Sequence, residues 1–155
     1  MNKYLLNIMI KKISPNSTFS KEQEIEIRDF LYQHLDRFGD DKISILECIH
    51  YARDTISKGG YIFMFVENQK IKGVSIVLKT NMKGFIPPYI LVYIAVDKNF
   101  RGQGIGKKLI QYIQNDLGEA IALHVEQDNP AFHLYEKLGF KNKYLEMRWF
   151  PDGSS

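Results

Sequence analysis

The fold of this chain is decided by Tyr89-Ile-Leu-Val-Tyr-Ile-Ala-Val96 and by the loop that follows it, Asp97-Lys-Asn-Phe-Arg-Gly-Gln-Gly-Ile-Gly-Lys107. The first stretch is wholly apolar and mostly β-branched or aromatic, which is typical of a central strand covered on both faces. An amphipathic helix is predicted from about Gly104 to Leu117, and Ile121 to Val125 reads as the strand that returns from it. The segment therefore predicts a βαβ unit.

The loop after Val96 combines glycine with positive charge. Glycines at 102, 104 and 106 would let a ligand approach the backbone without Cβ atoms in the way. N–H groups at a helix start lack partners, and the helix dipole favours negative charge there. The surrounding charges are the single acid Asp97 and four bases, Lys98, Arg101, Lys107 and Lys108. The loop predicts a site for a small anion, most simply phosphate; the alternative is that the glycines only make a tight turn.

Periodicity outward from this segment predicts a chain of alternating strands and helices. A capping box at Ser20 and Gln23 starts the first helix, whose apolar face runs to Gly39. The apolar residues from Tyr4 to Ile10 fit a leading strand better than a signal peptide. In chain order we predict a strand over 8–13, a helix over 20–39, a second helix that ends at Gly59, and hairpin strands at 61–66 and 71–78. After the βαβ unit we predict a helix near 130–138 and a closing strand at 144–149.

Composition places the chain among globular domains. The 155 residues are 45% hydrophobic and 25% charged, which excludes a disordered chain, a collagen-like repeat and a coiled coil. The longest wholly apolar stretch, Tyr89 to Val96, is too short for the roughly 20 residues of a membrane-spanning helix. A net charge of +3 gives no broad basic face for nucleic acid. The single cysteine, Cys48, excludes an internal disulfide, and no histidine spacing predicts a metal site.

Two nucleotide-binding motifs fail at the glycine loop. A dinucleotide fingerprint would need a third glycine at Lys107 or Leu109, and a P-loop would need glycine at Arg101. The pattern present is Arg-x-x-Gly-x-Gly, at Arg101 to Gly106. A second stretch is Asn129-Pro-Ala-Phe-His-Leu-Tyr-Glu-Lys-Leu-Gly-Phe140, a predicted helix with a tyrosine that ends at Gly-Phe. At this separation the two motifs resemble those of the GNAT superfamily of acyl-CoA-dependent N-acyltransferases.

The resemblance implies an α/β (α+β) fold: a mixed central sheet of about six to seven strands, about four flanking helices, and a splayed parallel pair at the cofactor site. It implies that main-chain groups of Ile94 and Val96 hold the pantetheine arm. Asn129 resembles the motif's asparagine, a further cofactor contact, although Asp128 could occupy that slot. Tyr135 would lie beside the thioester sulfur. The pyrophosphate would be received by Arg101, Gly102, Gln103, Gly104, Ile105, Gly106 and Lys107.

Attack of an amine on the thioester of acetyl-CoA also requires removal of a proton from the amine. Tyr135 is the predicted proton donor to the departing thiolate. Many relatives carry a glutamate on the strand before the glycine loop, and Tyr89 to Val96 has no carboxylate. On the predicted return strand, His124 and Glu126 share one face, and His124, with an ordinary pKa of about 6.5, is the better-tuned base. Glu126, or the absence of any dedicated base, stays open.

The leading functional hypothesis is an N-acetyltransferase that moves acetyl from acetyl-CoA to a primary amine of a small molecule or peptide. The alternative is a non-catalytic acyl-CoA-binding or regulatory module. We expect one domain over residues 1–150 with a loose tail at 151–155, no metal, no nucleic acid and no membrane. We also expect a cytoplasmic location, and an exposed edge strand at 144–149 could support a homodimer.

Overall fold

The computed structural model describes residues 7–154 and confirms the predicted βαβ unit and hairpin. The predicted contribution of Tyr4 to Leu6 to the leading strand lies outside these residues. Short 3₁₀ turns cover Asp36–Phe38 and Lys98–Phe100. The elements are β1 (Ile8–Ile13), α1 (Lys21–His34), α2 (Lys42–Arg53), β2 (Gly60–Glu67), β3 (Lys70–Lys79), β4 (Tyr89–Val96), α3 (Ile105–Leu117), β5 (Ile121–Leu123) and α4 (Ala131–Lys137).

The sheet is mixed, with its strands in the order β1-β2-β3-β4-β5. The first four strands pair antiparallel with their neighbours, and β4 pairs parallel with β5. The fold class is as predicted, but the described residues form five strands rather than six to seven. The predicted closing strand at 144–149 is absent: residues 141–150 have no regular structure, because a strand needs a hydrogen-bonded neighbour and the unit 124–154 contains none.

The chain divides into two compact units, Met1–Leu123 and His124–Ser155. The first unit holds the sheet, α1, α2 and α3. The second holds α4, with Tyr135 as its buried residue. A single domain over 1–150 stays a prediction.

Both sheet faces of the first unit are covered, as the apolar composition of β4 predicts. On one face α1 and α2 pack over a core that includes Ile62, Ile76 and Tyr93. On the other face α3 packs over a core that includes Phe63, Val77 and Leu91.

The first two helices end earlier than their apolar periodicity predicts. The capping box of α1 is confirmed, with the Ser20 hydroxyl accepting from the Gln23 N–H at 3.1 Å. The helix stops at His34 because Asp36 adopts a left-handed backbone with φ of 55°. Helix α2 stops at Arg53, since the Asp54 carboxylate accepts N–H bonds from Ile56 and Lys58 and folds the chain into a turn.

A β-bulge lies in the middle of β4, the strand that precedes the glycine loop. Ile76 pairs with Tyr93 but its neighbour Val77 pairs with Leu91, so Val92 is the extra residue. Consequently Val92 and Tyr93 both pack on the α1–α2 side, whereas Leu91 packs on the α3 side.

Candidate active site

The turn that leaves β4 is held by a buried carboxylate. Asp97 is 6% exposed, and its N–H donates to the Lys72 carbonyl at 2.9 Å. Its Oδ1 accepts from the Asn99 N–H at 2.9 Å, which starts the 3₁₀ turn over Lys98–Phe100. This turn redirects the chain from the end of the strand to the glycine loop.

Two glycines of that loop adopt backbone conformations that other residues avoid. Gly102 has φ of 80° and Gly104 has φ of 78°, and a Cβ at either position would meet no atom within 4 Å. Gly104 is the N-cap of α3 and has no side chain with which to cap it. The first helical bond is made by the Lys108 N–H, which donates to the Gly104 carbonyl at 3.0 Å. The preceding N–H groups, of residues 105–107, are the donors that an anion can use.

Ile105 anchors the start of α3 to the sheet. It is 5% exposed and belongs to the core on the α3 side. A Cβ on Gly73 would lie 3.1 Å from its Cγ2, so a glycine in β3 gives Ile105 its space. Ile105 therefore contributes its main chain, and not its side chain, to the predicted anion site.

β4 pairs with its parallel neighbour β5 only over its first three residues. Pairing runs from Tyr89 with Ile121 to Leu91 with Leu123, and the bulge at Val92 follows directly. Ile94 and Val96 lie beyond this pairing, as a splayed pair requires. Their role in holding a pantetheine arm stays a prediction.

Arg101, the first residue of the loop motif, contacts the end of α1. Its Nη2 donates to the His34 carbonyl at 2.6 Å, its Nη1 donates to Asp36 at 3.3 Å, and its Nε donates to the Val96 carbonyl at 3.3 Å. Lys98 also pairs with Asp36, and its bond lowers the pKa of that carboxyl more than any other contact. These bonds tie the loop to the α1–α2 connection. The predicted pyrophosphate contact of Arg101 is untested; its side chain is 46% exposed.

His34 is a buried histidine that sequence reasoning did not select. Its Nδ1 accepts from the Lys98 N–H at 3.2 Å, so the neutral ring carries its proton on Nε2, 3.9 Å from Asp97. Burial lowers the pKa of His34, and the neighbouring cations Arg101 and Lys98 add to the effect, while Asp97 opposes it. No spacing rule links His34 or Asp36 to a loop more than sixty residues later.

Three predicted residues lie in the second unit. Tyr135 is 7% exposed on α4, and burial raises its pKa to about 12, so its hydroxyl is protonated at neutral pH and can donate. The Asn129 Oδ1 accepts from the Ala131 N–H at 2.9 Å, which leaves its amide nitrogen for other contacts. His124 is exposed and follows β5, which ends at Leu123 and not at Val125. The period-two argument that put His124 and Glu126 on one strand face is therefore wrong.

Cys48 is buried in the α1–α2 core, and burial raises its pKa to about 12. Within residues 7–154, no three histidine, cysteine or acidic side chains come together as metal ligands. Nor does the described part of the chain contain a helix long and apolar enough to cross a bilayer.

Known proteins resemble this chain in sequence and in structure. Residues 58–142 match the family description "Acetyltransferase (GNAT) domain". N-alpha-acetyltransferase 30 of Schizosaccharomyces pombe is 29% identical over 99 residues, which cover 61% of this chain and 66% of that protein. An uncharacterised protein of Mycobacterium leprae is 39% identical over 72 residues, which cover 44% of this chain and 20% of that protein. The chain thus spans less than two thirds of the length of either curated relative.

A solved structure extends the likeness to almost the whole chain. The aminoglycoside N-acetyltransferase AAC(6')-Iy, in complex with CoA, superposes with a TM-score of 0.70 at 15% identity, over 97% of this chain and 98% of that one. The two chains share a fold. Since the family match covers more than half of the residues and includes both the glycine loop and the tyrosine-bearing helix, the chain belongs to the GNAT family of acetyltransferases.

Proposed function

We propose that this protein is an N-acetyltransferase that moves an acetyl group from acetyl-CoA to a primary amine by direct attack on the thioester. The observation that carries the proposal is the loop at the end of β4. Its left-handed glycines leave the start of α3 uncapped, directly after a strand whose parallel partner has ended.

The residues of this loop fit a pyrophosphate. No protein atom lies within 4 Å of a Cβ built on Gly102 or Gly104, so a phosphate can approach the main chain closely. The N–H groups of residues 105–107 supply donors, and the exposed Lys107 and Lys108 supply positive charge. The half of β4 that has no partner on the β5 side, including Ile94 and Val96, would hold the amide-rich arm. Asn129 is a further candidate contact.

Acetyl-CoA supplies a thioester carbonyl; the chain must orient the amine and move two protons. The amine nitrogen bonds to the carbonyl carbon, and the carbon–sulfur bond breaks. The main-chain N–H of Ile94 is the candidate donor to the oxyanion. The Tyr135 hydroxyl, protonated at neutral pH, gives its proton to the thiolate. His124 takes a proton from the amine, with Glu126 and an already neutral amine as the alternatives.

The names of similar proteins guide the choice of acceptors. One is an N-alpha-acetyltransferase and another is an aminoglycoside N-acetyltransferase, so peptide N-termini and aminoglycosides both belong in an acceptor panel. We also propose a cytoplasmic location. The homodimer stays a prediction, and the strand on which it rested is not formed.

A single assay tests the proposal. Purified protein is mixed with acetyl-CoA and a panel of amines, and released CoA thiol is measured. We expect thiol release that depends on both the protein and an amine, with the acetylated amine found by mass spectrometry. Binding of CoA without thiol release from any amine would support the non-catalytic acyl-CoA-binding module instead.

A further inference from the structure

A hydrogen bond joins β4 to the connection between α1 and α2. The Tyr93 hydroxyl donates to Oδ2 of Asp40 at 2.5 Å, across 53 residues of sequence. Tyr93 is 6% exposed, whereas Asp40 is exposed to solvent. Burial and the contact with Asp40 both raise the pKa of Tyr93, so the phenol keeps its proton and remains the donor. The buried ring therefore holds a solvent-facing carboxylate in a defined position.

The bulge places the Tyr93 side chain on the α1–α2 side of β4, the strand that carries the candidate oxyanion donor. Tyr93 immediately precedes Ile94, whose N–H is the candidate oxyanion donor, and follows the last β4–β5 pair by two residues. Because Val92 is the extra residue, the Tyr93 side chain lies on the α1–α2 side of the sheet. Asp40 therefore lies on the α1–α2 side of β4, opposite to the side on which α3 packs.

Among the described residues, Asp40 has neither the ion pairs of Asp36 nor the helix-capping bond of Asp41, the two other acidic residues of the connection. Asp36 pairs with Lys98 and Arg101. The Asp41 Oδ1 accepts from the main chain of α2 at 2.7 Å and caps that helix. Among the described residues, the Tyr93 hydroxyl is the hydrogen-bond partner of Asp40, and no lysine, arginine or histidine forms an ion pair with it.

The hydrogen bond from Tyr93 fixes the position of the Asp40 carboxylate and occupies Oδ2, which leaves Oδ1 for another donor. An exposed carboxylate oxygen that is held in place is a good partner for a cationic group. We propose that Asp40, positioned by Tyr93, binds a second, non-reacting cation of the acceptor, so that the preferred substrates are amines with at least two positive charges. This assignment rests on the proposed acetyltransferase function. Asp40 would determine specificity, because its carboxylate oxygen would contact the second cation of the acceptor and not the reacting atoms.

The test compares putrescine, a four-carbon diamine, with butylamine, the matching monoamine. In the unmodified protein we expect kcat/KM for putrescine to exceed that for butylamine by about tenfold or more, since charge-assisted hydrogen bonds contribute on that scale. Asp40→Asn keeps an oxygen for the Tyr93 hydroxyl and removes the charge. It should abolish the preference through a rise in KM for putrescine, with kinetics for butylamine unchanged.

Two further variants separate specificity from general effects. Glu47→Gln removes one exposed negative charge from α2 and should leave the preference intact. Tyr93→Phe keeps the ring but frees the carboxylate, and should lower the preference in part. An unchanged preference in Asp40→Asn would overturn the proposal, and so would an equal loss for both amines, which would mark Asp40 as a base or a structural residue.

A binding measurement keeps this inference distinct from the proposed function. Putrescine is titrated calorimetrically into the CoA-bound protein. Binding that weakens about tenfold or more in Asp40→Asn supports the cation site even if no amine releases thiol, a result that would count against the acetyltransferase alone. Absence of putrescine binding to the unmodified protein, or equal affinity in both proteins, would refute the cation site whatever the activity.

Discussion

Replacing Gly104 by alanine should weaken cofactor binding in addition to destabilising the fold. At φ of 78°, an alanine adopts a left-handed backbone, which costs about 1–2 kcal/mol. Its Cβ would contact no protein atom within 4 Å, so backbone strain is the main cost to the folded protein. For a domain of this size, that cost lowers Tm by about 2–8 °C.

Gly118 provides a matched control at the other end of the same helix. It has φ of 62°, and a Cβ there would also meet no atom within 4 Å. Gly118→Ala should therefore carry a similar strain and a similar loss of Tm. It lies at the C-cap of α3, away from the glycine loop, and should leave CoA binding unchanged.

The assay is thermal unfolding with and without CoA. A ligand at 100 times its Kd stabilises the folded state by about 2.7 kcal/mol, which raises Tm by about 5–11 °C. We expect this shift in the unmodified protein and in Gly118→Ala. The methyl group of Gly104→Ala would stand where the pyrophosphate approaches; a tenfold weaker Kd leaves about 1.4 kcal/mol at the same CoA concentration, or about half the shift. Equal CoA shifts in the two alanine variants would refute the assignment of the loop.

Three further predictions concern buried or candidate catalytic side chains. Because burial lowers the pKa of His34, the unfolded chain binds more protons, so stability should fall as the pH drops through about 6.5. His34→Gln should flatten that fall in denaturant titrations at pH values from about 5 to 7; an unchanged slope would assign the effect to another group. Tyr135→Phe should keep CoA affinity and lower kcat by about 10–10³-fold in single-turnover kinetics, and an unchanged rate of chemistry would limit Tyr135 to packing. If His124 is the base, kcat/KM should rise with pH near neutrality, and His124→Gln should remove that rise. If Glu126→Gln removes the rise of kcat/KM with pH and His124→Gln does not, Glu126 is the base. If the rise persists in both variants, the enzyme uses no dedicated base.

The central elements could be predicted because their sequences leave few alternatives. The uninterrupted apolar run of β4 fits a strand with both faces buried, and α3 follows with clear helical periodicity. The predicted hairpin strands at 61–66 and 71–78 leave a short polar stretch between them, and there Asn68 and Gln69 make the turn with positive φ. The conformation of the glycine loop depends on local backbone geometry, which the glycines at 102 and 104 indicate directly.

The bulge in β4 and the contacts of the α1–α2 connection could not be predicted in the same way. The bulge at Val92 cannot be predicted from the sequence, because every residue of β4 is apolar. A bulge shifts the alternation of apolar and polar residues along a strand, and β4 has no such alternation. The contact between Tyr93 and Asp40, like that between Arg101 and Asp36, joins residues more than fifty positions apart. These pairs depend on how α1 and α2 pack on the sheet, which local patterns do not encode.

The hydrogen bonds of Arg101 make the position of the glycine loop dependent on α1. Arg101 reaches the carbonyl of His34 across 67 residues, so this loop of chain must close before the contact forms. A fragment that begins after α1 would contain both sequence motifs and still lack the anchor of the glycine loop. If the loop binds CoA as proposed, CoA affinity should depend on the integrity of α1, and in hydrogen exchange the amides of that helix and of the loop should open together as one cooperative unit.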